Sequence, residues 1–219
     1  MVLRAVPDGD EYDKDIALGI RYAVDNGAKI INTSFGKYFS PNPEWVEEAI
    51  KYAAKNDVLI VNASGNEGIN LDQKRVYPND QTPENPQEIS DNVLSVGALN
   101  FDYGSRLVAG FSNYGKLNVD VFAPGTKIWS TTPNNEYEYM QGTSMAAPAV
   151  SGVAALIRSF YPKLTAAQVK QIIMDSGVTT DTSVLVGEEG RNTQRFNELS
   201  VSGKMVNLYN ALILASQTK

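Results

Sequence analysis

The stretch QGTSMAAPAVSGVAALI, residues 141–157, carries the strongest signal in this sequence. It places Ser144 after a Gly-Thr turn and before a run of small and apolar residues, which predicts a helix from Ser144 to Tyr161. A serine at a helix N-terminus lies at the positive end of the helix dipole among free N–H groups, a good position for an oxyanion. Serines also cap helices without any chemistry, and the spacing alone favours that interpretation. Pro148 is expected in or near the first turn, where its missing N–H is tolerated.

The composition narrows the chemistry in which this serine can take part. The 219 residues include no histidine and no cysteine. Disulfides, a thiol nucleophile and the usual transition-metal ligands are therefore excluded, and oxygen-ligand ions such as Ca²⁺ remain. The net charge of −6 argues against a nucleic-acid surface and against binding to an anionic membrane. No apolar run reaches the roughly 18 residues of a membrane span, and residues 1–15 lack the pattern of a signal peptide.

Hydrophobic patterns predict strands and helices in alternation along one α/β domain. Strands are expected over residues 2–6, 29–34, 58–63, 92–98 and 119–123, followed by a hairpin of residues 127–132 and 136–140. Helices are expected over residues 13–26, from residue 43 onward, over 144–161, over 165–177 behind a capping box, and over 206–215. Residues 65–91 and 178–203 are expected to be polar loops. This order predicts a three-layer, doubly wound, mostly parallel sheet with helices on both faces.

A second polar segment follows the unbroken apolar strand at residues 58–63. Asn66, in the turn Gly-Asn-Glu-Gly of residues 65–68, is expected just past the carboxyl end of that strand, where ligands bind in open α/β sheets. Its amide can donate a hydrogen bond to a developing oxyanion. An ordinary turn after a strand explains the same residues, and this segment alone favours that interpretation.

The order of three motifs resembles the subtilisin-like serine proteases, also called the subtilase family or peptidase family S8. The motifs are INTSFG at 31–36, ASGNEG at 63–68 and GTSMAAP at 142–148. The resemblance covers most of the chain, and GTSMAAP within this order is a specific signal. It implies acyl transfer with Ser144 as the nucleophile and the Asn66 side chain in the oxyanion hole. It further implies a protein or peptide substrate, bound by Ser34, Phe35 and Gly36 on one side and by the S1-pocket wall Ala63, Ser64 and Gly65 on the other.

The resemblance also implies what this sequence does not contain. In the family a histidine and an aspartate complete the catalytic triad, and both lie upstream of the region that this chain resembles. We therefore expect residues 1–219 to be one domain, the C-terminal portion of a subtilisin-like catalytic domain, truncated at its N-terminal part and inactive alone. Strand edges exposed by the truncation predict a homodimer. The parent enzyme is expected to be exported, as members of the family usually are.

Three other interpretations compete with that of an incomplete protease. A non-catalytic pseudoprotease or peptide-binding module would retain the same motifs. Glu11 and Asp15 have the spacing seen in the related serine-carboxyl peptidases, but they fall on the helix before Ile30, and solvated carboxylates at a helix N-terminus are favoured. A nucleotide-binding domain is disfavoured because Gly-Asn-Glu-Gly is not the G-x-G-x-x-G pattern.

No cofactor is required by this chemistry, although the loop at residues 69–91 leaves one alternative open. Members of the family often hold Ca²⁺ in surface loops. The loop carries the carboxylates Asp72, Asp80, Glu84, Glu88 and Asp91. A calcium site and a solvated acidic loop both explain these residues, and the solvated loop is favoured.

Overall fold

A sheet of four parallel strands forms the centre of the protein. The structure is a computed structural model that describes residues 1–6, 9–81, 88–187, 190 and 192–218. The strands are β1 (Ile30–Thr33), β2 (Leu59–Ala63), β3 (Val93–Leu99) and β4 (Val121–Pro124), in the order β1-β2-β3-β4. All of β2 and nearly all of β3 are buried, as expected for strands covered on both faces.

Helices cover both faces of this sheet. In the described part of the chain they are α1 (Asp13–Asp25), α2 (Pro43–Lys55), α3 (Thr143–Phe160), α4 (Ala166–Ser176) and α5 (Leu208–Gln217). Side chains alternate between the faces of a strand, so Ile60 of β2 packs with α1 and α2 whereas Val61 packs with α3, α4 and α5. The predicted three-layer, mostly parallel α/β architecture is confirmed. Within the described ranges, no helix is both long enough and apolar enough to cross a membrane.

Two short antiparallel hairpins lie outside the main sheet. The first, β5 (Ile128–Thr132) with β6 (Glu136–Met140), confirms the prediction for that region. The second, β7 (Ser183–Val186) with β8 (Asn192–Arg195), shows that the prediction of a polar loop over 178–203 was wrong. β7 buries Val184 and Val186, but its four residues are too few for the alternation to be recognised, and its partner β8 is wholly polar.

The strand expected over residues 2–6 is also wrong. These residues form no strand in the structure. Instead, Met1, Val2 and Leu3 line a cavity of about 680 Å³ whose other walls include Ile30 and Ile31 of β1. A strand needs a neighbour to pair with its backbone N–H and C=O groups, and a β-branched composition alone does not supply one.

The two edges of the main sheet differ. The outer edge of β4 is covered by the segment 201–206. In this contact the Phe122 N–H donates to the Lys204 carbonyl at 3.0 Å, and the Val206 N–H donates to the Phe122 carbonyl at 2.8 Å. The outer edge of β1, by contrast, has no strand partner among the residues that the structure describes. We call these the closed edge and the open edge.

Candidate active site

The start of α3 and the turn after β2 meet beside Ser144, which is the second residue of α3. Thr143 joins the two segments. Its backbone N–H and its hydroxyl each donate to Oδ1 of Asn66 at 2.9 Å. The N–H of Gly65 in turn donates to the Thr143 hydroxyl at 3.1 Å. These hydrogen bonds fix Asn66 against the helix that carries Ser144, so the structure brings together the two residues that the sequence singled out.

The amide of Asn66 is oriented as a hydrogen-bond donor. Because Oδ1 accepts from Thr143, the network assigns the other terminal atom as Nδ2. In the described part of the chain this nitrogen meets no acceptor. The position that a Cβ would take on Gly142 lies 3.5 Å from Asn66 Nδ2 and 3.6 Å from the backbone nitrogen of Ser144. Two nitrogen donors thus flank one open point beside Gly142. Gly142 has a φ of 146°, a conformation that favours glycine.

Ser144 is held by a reciprocal pair of hydrogen bonds to Ser34, which directly follows β1. The Ser144 hydroxyl donates to the Ser34 carbonyl at 3.2 Å. The Ser34 hydroxyl donates to the Ser144 carbonyl at 2.9 Å. Among the described residues, no side chain forms a hydrogen bond with the Ser144 hydroxyl. The site therefore combines a serine hydroxyl with two nearby nitrogen donors, and it has no imidazole because the sequence contains none.

A cavity of about 190 Å³ opens beside Ser144 and Asn66. Its walls include Phe35, Gly36, Ala63 and Gly65, four of the six residues expected to bind substrate. Ser64 is only 1% exposed and does not line this cavity, so it supports the wall from behind. Ser34 contacts Ser144 directly, as described above.

Sequence analysis missed three residues that shape this cavity and its wall. Tyr38 and Val76 line the cavity but come from loops without a recognisable pattern. Asn113, which is fully buried, clamps the turn after β2. Its Nδ2 donates to the Ser64 carbonyl at 2.8 Å, while its Oδ1 accepts the N–H groups of Glu67 and Ile69, both at 3.1 Å. No local signal marks Asn113, because its partners lie more than forty positions earlier in the chain.

The described carboxylates that were candidates for a catalytic base or for calcium ligands do not line the cavity beside Ser144. Glu11 and Asp15 line two other cavities and are absent from the lining of the cavity beside Ser144. Asp72 accepts the N–H groups of Lys116 and Leu117 at 2.7 and 3.0 Å. Among the described residues, no group of three or more carboxylates is arranged to hold a metal ion. Glu84 lies outside the described residues, and the alternative of a calcium site in this loop stays untested.

A buried ionic cluster lies between α4 and the start of β4. Lys170 Nζ is 2.7 Å from Glu88 Oε2 and 3.6 Å from Asp120 Oδ1. Burial, together with the charge of Asp120, raises the pKa of Asp80 to about 7. Burial also raises the pKa of Asp120, against the opposing charge of Lys170. Three carboxylates share one ammonium group, which disfavours the simultaneous ionisation of all three.

Comparisons with known proteins find similarity along most of the chain. The family model Peptidase_S8, described as the subtilase family, matches residues 1–200. Subtilisin DY of Bacillus licheniformis is 34% identical over 174 residues, which cover 79% of this chain and 58% of that protein. The major intracellular serine protease of Bacillus subtilis (strain 168) is 43% identical over 147 residues, 65% of this chain and 40% of that protein.

The comparison with solved structures also finds proteases. The prenylagaramide maturation protease PagA superposes with a TM-score of 0.73 at 28% identity, and the match covers 98% of this chain and 71% of PagA. The chain spans less than two thirds of the length of the first curated relatives that it matches.

Proposed function

Because the chain belongs to the subtilase family of serine proteases, we propose that it supplies the nucleophile and the oxyanion hole of an endopeptidase. The observation that supports this proposal most strongly is the pair of donors, Asn66 Nδ2 and the Ser144 N–H, which flank one open point beside the Ser144 helix turn. A serine that only capped a helix would not need a second, separately oriented donor.

In this proposal Ser144 attacks the carbonyl carbon of a peptide bond. A bond forms between Oγ and that carbon, the hydroxyl proton passes to a base, and the carbonyl oxygen becomes an oxyanion held by Asn66 and the Ser144 N–H. The C–N bond then breaks and the amine leaves with the proton. Water hydrolyses the resulting acyl-enzyme and regenerates Ser144.

The base is not among these residues. The sequence has no histidine, so we place the histidine and its orienting aspartate in segments upstream of residue 1 in the parent protein. On this proposal residues 1–219 are the downstream part of one catalytic domain and are inactive alone. An Asp-Thr-Gly-like strand and a His-Gly-Thr-like helix encoded upstream would agree with this assignment.

The substrate is proposed to be an extended peptide. Residues 34–36 continue from β1 along the open edge, where a peptide gains main-chain hydrogen bonds by strand addition. The cavity lined by Phe35 and Gly65 would then receive the side chain next to the cleaved bond. One structural relative bears the name of a maturation protease, which supports a protein or peptide substrate.

Hydrolysis of a peptide substrate by the parent protein tests these roles. Asn66→Ala should lower kcat with little change in KM, by roughly 10²–10³-fold, a magnitude measured in a subtilisin and not obtained from this structure. Ser144→Ala should abolish turnover. Asn134→Ala, in the exposed turn between β5 and β6, is the matched control and should leave turnover unchanged. Full turnover in either site variant would contradict the proposal.

A non-catalytic peptide-binding module is the alternative, favoured by the missing histidine. It keeps the strand-addition surface and assigns no chemistry to Ser144. A parent gene without the upstream triad segments, whose product binds peptides without cleaving them, would favour this alternative.

Two further proposals concern the oligomeric state of the protein and the export of the parent enzyme. We propose that the open edge of β1 pairs with a second copy of the chain when nothing else covers it. We also propose that the parent enzyme is exported, which fractionation of the source cells would test. One relative is named an intracellular protease, so export is not implied by the family alone.

A further inference from the structure

Pro148 removes a hydrogen bond from the turn of α3 that carries Ser144. Pro148 is the sixth residue of α3, so it lies in the second turn and beyond the positions where a missing N–H has no consequence. Pro148 was expected in or near the first turn; it lies just after that turn, where its missing N–H affects a helical acceptor. In an α-helix the N–H of residue 148 would bond to the carbonyl of residue 144. The carbonyl of Ser144 thus loses its helical donor.

The Ser34 hydroxyl supplies a donor to this carbonyl. It donates to the Ser144 carbonyl at 2.9 Å, from the segment that directly follows β1. Ser34 is itself held by Asn32, whose Nδ2 donates to the Ser34 hydroxyl oxygen at 2.9 Å. Ser151, two helical turns after Ser144, has its hydroxyl 3.1 Å from Oδ1 of Asn32. A connected set of polar side chains therefore joins the end of β1 to the first turns of α3.

We infer that Ser34 is a positioning residue for Ser144, because its hydroxyl replaces the hydrogen bond that Pro148 removes from the helix turn bearing the nucleophile. The Ser144 carbonyl is partly buried, so without the Ser34 hydroxyl it would lack this protein donor and the turn would shift toward another one. Through this contact the end of β1 sets the position of Ser144 relative to Asn66. This role differs from the substrate pairing proposed for the Ser34 backbone, and it rests on the proposed function only in calling Ser144 the nucleophile.

A double-mutant cycle tests the pairing of Ser34 with Pro148. Ser34→Ala should lower the folding equilibrium constant by roughly tenfold, measured by urea unfolding of the full chain. In a Pro148→Ala background the helix regains its own donor, so the same change should cost roughly twofold or less. Ser34→Thr keeps a hydroxyl and should restore most of the loss. Ser159→Ala, exposed on α3, is the control and should cost the same small amount in both backgrounds. An equal loss for Ser34→Ala with and without Pro148 would overturn the inference.

A thiol introduced at position 144 tests how the side chain at that position is placed, whereas urea unfolding tests only the stability of the chain. The chain has no other cysteine, so Ser144→Cys introduces a unique thiol at the N-terminus of α3, where the helix dipole lowers the thiol pKa. The pKa is read from the pH dependence of alkylation by iodoacetamide. Adding Ser34→Ala should raise that pKa by on the order of 0.5 unit, and Ser34→Thr should leave it unchanged. A pKa that is unaffected by Ser34→Ala would show that Ser34 does not position residue 144. Neither measurement needs proteolysis, so both can fail or succeed independently of the proposed function.

Discussion

The closed and open edges of the sheet differ in composition as well as in pairing. At the closed edge, β4 contacts the segment 201–206 and places the fully buried Phe122 against Phe196. At the open edge, β1 has no strand partner in the described part of the chain, and its connection to α3 is made by serine and asparagine side chains.

The proposed chemistry lies on the less covered side of the molecule. Ser34 follows β1 and Asn66 follows β2, so the carboxyl ends of the two strands nearest the open edge carry the site. The buried Phe122–Phe196 pair and the ionic cluster lie toward the opposite edge, next to β4. On our proposal, the chemistry is therefore located at the edge of the sheet that lies away from this buried aromatic pair and ionic cluster. The predictions below test this separation.

The largest effect is expected at the closed edge. Phe122→Ala removes a fully buried ring whose centroid lies 5.5 Å from that of Phe196, and should cost about 3–5 kcal/mol of unfolding free energy in urea. Phe160→Ala, 67% exposed on α3, is the matched control and should cost no more than about 0.5 kcal/mol. Similar losses for the two variants would contradict the assignment of stability to the closed edge.

A smaller effect is expected from the buried ionic cluster. The folded pKa of Asp80 is about 7, above its ordinary value of 3.8. Between these two values the native state holds a proton that the unfolded state releases, so the unfolding free energy contributed by Asp80 falls as pH rises from 4 to 7. Asp80→Asn cannot ionise and should be more stable than the unchanged protein at pH 8, by about 1–3 kcal/mol.

Urea unfolding at pH 5 and pH 8 measures this difference. Asp91→Asn, an exposed carboxylate in the same loop, serves as the control and should leave the pH dependence unaltered. If Asp80→Asn retains the pH dependence of the unchanged protein, the cluster does not hold the proton on Asp80.

The smallest effect is expected at the open edge. If β1 and the apolar surface beside it pair with a second copy, a charge there should weaken the dimer. Leu18 lines a cavity of about 800 Å³ between residues 2–5 and α1 and is 55% exposed. Leu18→Glu should raise the dimer dissociation constant by roughly tenfold in light scattering, whereas Val201→Glu beside β4 should not. A chain that stays monomeric at every concentration would refute the dimer.

Much of the fold could be predicted from local patterns. The apolar run at residues 58–63 identified β2 because a strand buried on both faces needs no alternation. The Thr165–Gln168 capping box identified the start of α4, and both of its hydrogen bonds are present at 3.2 and 2.9 Å. The motifs around Ser144 and Asn66 located the residues that now meet beside Gly142.

The features of the fold and the site that could not be predicted depend on contacts between segments that are distant in the sequence. Asn113 clamps a turn that lies far away in sequence, and Val76 reaches the site cavity from a loop without periodicity. The replacement of a helical donor by Ser34 could not be predicted, because it requires knowing that β1 ends next to α3. Residues 2–6 had the composition of a strand, but pairing depends on a neighbour that composition does not reveal.

The most direct test of the account is the rate at which a serine-directed fluorophosphonate labels Ser144. If the whole gene product carries the upstream segments that we propose, it should be labelled rapidly, and Ser144→Ala should abolish that labelling. The 219-residue chain should be labelled at least about 10³-fold more slowly, because on our proposal it supplies a nucleophile and an oxyanion hole, and it has no imidazole base. Labelling of Ser144 in the 219-residue chain at the rate of the whole gene product would contradict the account.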